Sequence, residues 1–283
     1  MRKYAIASGI LAVSGGWSGF FLRRLELQKA FEPDTGLPAA GNASTTAIII
    51  YVFFILAVAA AVAILIRVRF EAKKTYREVF PPSGGQLVFN FAVCAAAVIS
   101  GVLCYSEARG TELFRTQLLI AAMTALAGLA LLGLAAMAMR ERESQSKLPL
   151  VLAVIPELFF TVWLLILYRA NQTNPIRLEY VFQALAMVSA AMAAYFNAGF
   201  VCARPAPARA VFSHAAAVFF LLTASADAVP QSQKLAFVAF ASFFAVNLVR
   251  LMAGLIPRQP KAAESAPEVE PPAAETPAAP ESE

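Results

Sequence analysis

Eight apolar runs, each roughly 20 residues long, constrain this chain more than any other feature. They cover 4–22, 46–66, 86–105, 116–139, 148–168, 180–203, 210–229 and 235–256. At 1.5 Å rise per residue, a helix of about 20 residues spans the ~30 Å hydrocarbon core of a bilayer. The runs show no period-2 alternation, so helices are expected and a closed barrel is not. The predicted fold class is therefore all-α: a polytopic helical membrane protein of about eight transmembrane helices.

Composition agrees. Hydrophobic residues make up 59% of the chain and charged residues 14%, against about 25% charged in a soluble domain. The net charge is +5, but the basic residues lie in short loops beside apolar runs. That pattern points to a lipid bilayer as partner and not to nucleic acid.

Boundaries follow from the breakers. Arg23-Arg24 closes the first run, whose lead Met1-Arg2-Lys3 resembles a signal n-region without a convincing cleavage site. An uncleaved signal anchor is expected. Gly15 and Gly19 form a GxxxG, expected to pack closely on another helix. The second run continues through a basic, aromatic stretch until Pro81-Pro82. The helix is thus predicted to project beyond the bilayer over 67–80, as a solvated end with snorkelling cations or a contact for a protein partner. The starts at Gln86, Leu148 and Ala210 are evenly spaced, which suggests three successive hairpins. Residues 1–256 form the membrane domain. Proline, alanine and glutamate dominate 257–283, so this C-terminal tail is expected to be disordered and is a second candidate partner contact.

Orientation comes from counting cations. With the N-terminus inside, inside segments hold fourteen Lys and Arg and outside loops eight, with Arg250 left within a span. A multi-pass protein of the cell membrane with both termini cytoplasmic is expected. Arg23 and Arg24 sit on the wrong side for that rule.

Polar groups at bilayer depth need a reason, because a charge there costs at least ~2.5–3.5 kcal/mol. Glu157 lies roughly 13 Å into the fifth span and follows Pro156, which frees a carbonyl one turn earlier. Counted from the cytoplasmic ends, Asn197 lies roughly 9 Å deep, His214 roughly 6 Å, Asn247 roughly 13 Å and Arg250 roughly 9 Å. The binding hypothesis is a cluster of Glu157, Asn197, Asn247 and Arg250, with Arg250 as the partner of Glu157. The alternative is structural: a protonated Glu157, a snorkelling Arg250 and two ordinary interhelical asparagines. Ala186, Ala190, Ala194 and Ala198 recur every four residues and permit close helix approach. Asp227, near the outer end of the seventh span, reads as an interface anchor.

His214 is the only histidine, with no cysteine or carboxylate at ligand spacing, so no metal site is expected. The three cysteines read as apolar packing residues. No GxSxG, HExxH or Walker A sequence occurs, so neither an enzyme nor a cofactor is expected. Two functions remain. The first is a small-solute or ion permease with Glu157 as coupling or binding group. The other is a non-transporting membrane scaffold or sensor subunit. A water-sized cavity lined by Glu157 and Arg250 and open to one side would favour the first, and a sealed pair the second.

Overall fold

The computed structural model describes residues 2–29, 48–53, 55–56, 75–111, 114–139, 147–172 and 180–255. Every regular element among them is a helix. The order is α1 (Arg2–Lys29), α2 (Tyr76–Val79), α3 (Gly84–Ala108), α4 (Phe114–Met139), α5 (Leu148–Asn171), α6 (Val181–Val201), α7 (Pro207–Ala224) and α8 (Gln231–Leu255). All but the four-residue α2 are long and apolar enough to cross a membrane.

Of the second run, 48–53 and 55–56 are helical, and Phe53 packs on Phe219 and Phe220 of α7 with ring centroids 5.0 and 4.4 Å apart. The rest of that run, the basic stretch 67–74 and the tail 257–283 lie outside the described residues.

Small residues decide which helices touch. α1 runs parallel to α7. A Cβ on Gly16 would meet Leu222 Cδ1 at 2.7 Å, and one on Gly19 would collide with the Thr223 hydroxyl. The Gly15/Gly19 pair therefore seats α1 against a helix of the same chain. α3 and α4 form a hairpin by the same device, since a Cβ on Gly101 would stand 2.8 Å from the Ala121 carbonyl. The α6 alanines 186, 190, 194 and 198 are all buried. In lipid such close approach is the main source of helix association, because acyl chains are as apolar as leucine.

The hub is α7, the shortest span at 18 residues, with 72% of its length buried. It packs against α1, α6 and α8. An aromatic core joins α5 to α8: Trp163 stacks on Phe237 at 5.2 Å, and Phe160 meets Phe240 edge to face.

The beginning of α1 lies beside the end of α8, where Gly9 faces Val249. The α2 segment lies at this same end, with the Val79 carbonyl against Gly254. The chain thus leaves α1 at one end of the bundle and enters α2 at the other.

One expectation is corrected here. The second helix does not run on unbroken to Phe80. A new helix starts at Tyr76 after the N-cap Thr75, which is extended (φ −74°, ψ 163°) and whose N–H donates to Glu78 Oε2 at 2.9 Å. This Thr-x-x-Glu capping box marks the start of a separate helix. Residues 75–83 then form a strap under the bundle, with Val79 and Phe80 buried.

Candidate functional site

A small, largely enclosed cavity lies between α4, α5, α6 and α8, with Tyr76 of α2 reaching into it. Its walls include Leu134, Pro156, Phe160, Asn197 and Phe244, and its volume is about 20 Å³. That is room for one water molecule. Pro156 has no N–H, so the Leu152 carbonyl loses its helical partner beside this wall.

Asn197 is only 9% exposed, and among the described residues its Oδ1 finds no donor. A buried acceptor left this way costs about 1–3 kcal/mol. The Tyr76 phenol is the other polar group. Burial pushes it up to about 12, with Arg250 pulling the opposite way. It stays a neutral O–H through the physiological range, able to donate or accept.

The other predicted residues fall elsewhere. Glu157 stands one position past the cavity wall and does not line it. It is half-buried, at the edge of the α5 stripe that exposes Leu150, Leu158 and Leu165. Among the described residues it has no hydrogen-bond or ion-pair partner. Arg250 instead serves the strap: its guanidinium donates to the Pro81 carbonyl at 2.5 Å and lies 5.7 Å from the Phe80 ring centre. The expected Glu157–Arg250 pair is therefore not formed. Asn247 is buried in α8, away from the cavity wall. So the structure brings Asn197 to the cavity, puts Arg250 next to its lid, and leaves Glu157 outside.

His214 is fully buried on α7. Its Nδ1–H donates to the Ala210 carbonyl at 2.7 Å, its ring meets Phe244 edge to face, and Nε2 has no partner among the described residues. The remaining orphan, Arg250 NH1, lies on the same half of the bundle.

The strongest polar assembly is at the opposite end, where sequence reasoning missed it. Arg23 is completely buried. Its Nε donates to Asp227 Oδ1 at 2.7 Å and its NH1 to Glu26 Oε2 at 2.6 Å. Gln183 donates to Asp227 Oδ2 at 3.0 Å, and the Phe182 ring lies 4.8 Å from the guanidinium carbon. Burial pushes the Asp227 carboxyl above its ordinary range, and Arg23 and Gln183 partly restore it. Asp227 is thus a buried partner and not an interface anchor. The misplaced Arg23 is likewise internal, so its side of the membrane says little about topology.

Nearby, Glu107 from α3 caps the start of α8. Its carboxylate accepts from the Ser232 hydroxyl and backbone N–H, and Ser100 donates to the Ser232 carbonyl at 2.7 Å. Of the cysteines, Cys94 and Cys104 are buried, whereas Cys202 is exposed at the end of α6 and does not pack.

Taken together, these spans and their internal polar contacts define an integral, multi-pass helical membrane protein. Comparison with protein-family models, with curated proteins and with solved structures finds no match in any of the three.

Proposed function

We propose that this chain is a small-solute permease of the cell membrane, with both termini cytoplasmic and no catalytic role, seen here with its pathway shut. The observation that carries the reading is the Asn197 cavity: a buried acceptor without a donor, beside a proline-interrupted helix and beneath a separate strap. Packed helices rarely keep a bare amide oxygen, so the feature suits a groove that a passing solute fills. The binding group is then Asn197, with Tyr76 as second contact, and Glu157 keeps at most a coupling role. Reconstitution into proteoliposomes tests it. Uptake above empty vesicles, abolished by Asn197→Leu, is the expected result. Wild-type uptake equal to empty vesicles across small polar solutes would end the proposal.

The second reading, a non-transporting scaffold or sensor subunit, is favoured by Glu157. A half-exposed carboxyl at mid-depth with no described partner suits a polar group on another membrane protein. In that case Glu157→Leu releases a co-purifying partner and leaves the fold intact. Retention of the partner by Glu157→Leu would count against it.

A further inference from the structure

We infer that the cavity binds one small neutral hydrogen-bond donor, of the size and chemistry shared by water and ammonia, and that the strap 75–83 is its lid. The site itself stands on geometry alone. The flux that it would support rests on the permease reading.

Size sets the first limit. A cavity of about 20 Å³ admits one water-sized molecule. Polarity sets the second. The Asn197 Oδ1 lacks a donor, and the Tyr76 hydroxyl can supply or take one further hydrogen bond. Charge sets the third. No carboxylate lines the walls, aromatic rings make up much of them, and the Arg250 guanidinium acts on Tyr76 from outside. A cation would meet that guanidinium, and any ion would lose its hydration against hydrocarbon. A neutral N–H or O–H donor fits all three limits.

The lid is built from contacts that can break together. Phe80 meets Phe200 edge to face at 6.0 Å, Arg77 donates to the Ala138 carbonyl at 3.3 Å, and Arg250 holds the Pro81 carbonyl. Its flanks are the extended N-cap Thr75 and the Pro81-Pro82 pair. Tyr76 is the only cavity residue that the strap contributes.

Three measurements on the full chain test this. First, Asn197→Leu is nearly isosteric. If Oδ1 is bare, losing it raises Tm. If an occupant satisfies it, Tm falls by several degrees, as we expect, and a rise overturns the site. Second, Cys94, Cys104 and Cys202 are replaced by serine, and Val79→Cys is labelled with a membrane-impermeant thiol reagent. Labelling at least tenfold slower than at Glu78→Cys is expected, with Arg250→Gln removing most of the difference. Equal rates without Arg250→Gln overturn the lid. Third, stopped-flow vesicle assays compare osmotic water flux with ammonia-driven alkalinisation. Whichever flux Asn197→Leu removes names the occupant. Absence of both fluxes, with the first two results intact, overturns the permease reading and leaves the binding site standing.

Discussion

Replacing Arg23 by methionine should destabilise the bundle by about 3–5 kcal/mol, the range for breaking one side of a buried charge pair. The structure places this at the upper end. Arg23 is the cation between Glu26 and Asp227, whose side chains are 0% and 3% exposed in their pairs with it. Its loss leaves two carboxylates side by side without it. Asp227→Leu should cost less, about 3 kcal/mol, because Glu26 still accepts from Arg23. It gives up two bonds made by the carboxylate, to Arg23 and Gln183, each at the low end of about 1.5–3 kcal/mol because Glu26 holds Arg23 in place. The triple variant Arg23→Met, Glu26→Leu, Asp227→Leu should recover most of the loss, since apolar replacement of a whole buried network is close to neutral. Reversible unfolding in mixed micelles with added dodecyl sulfate, followed by far-UV circular dichroism, reads all three. A cost below about 1 kcal/mol for Arg23→Met, or a triple variant no better than the single, would refute the reasoning.

Other consequences are as direct. Because burial raises the Asp227 carboxyl, the increment of stability that goes with its protonated form is full below the ordinary aspartate range and is lost as pH rises through the folded-state value. Asp227→Asn should flatten that part of a stability–pH curve measured by the same unfolding. Glu107→Ala removes the cap of α8 and should cost about 1 kcal/mol, read as a lower midpoint. Gly254→Leu drives a side chain into the Val79 backbone and should free the strap, seen as faster proteolysis near Arg77 with the rest of the bundle intact. Glu157→Gln should leave thermal stability within about 0.5 kcal/mol of wild type, since nothing described holds its charge.

Much of the architecture was legible. Run length and missing alternation gave the helices, though the last two begin at Pro207 and Gln231, three and four residues before the expected Ala210 and Leu235, and Gly15/Gly19 marked a close contact. The strap was also written in the chain, as Thr75-x-x-Glu78 before Pro81-Pro82, but the lack of any proline or glycine in the run before Pro81 hid the restart. The site was less readable for a physical reason. Depth along a helix follows from counting, whereas direction around it depends on which neighbours it has. Glu157 and Arg250 are at suitable depths yet face different surroundings. Arg23 and Asp227 looked like boundary residues because each sits at the end of its own run, and only the parallel seating of α1 on α7 joins them.

That seating has a consequence for how the chain is made. Arg23 and Asp227 are 204 residues apart, so at ~5–20 residues per second the ribosome needs roughly 10–40 s to supply the second after the first. Throughout that interval the nascent chain has Glu26 beside Arg23 but not yet Asp227. A copy that stalls before the seventh run keeps only half of this buried charge network, and the first span has no α7 to seat on.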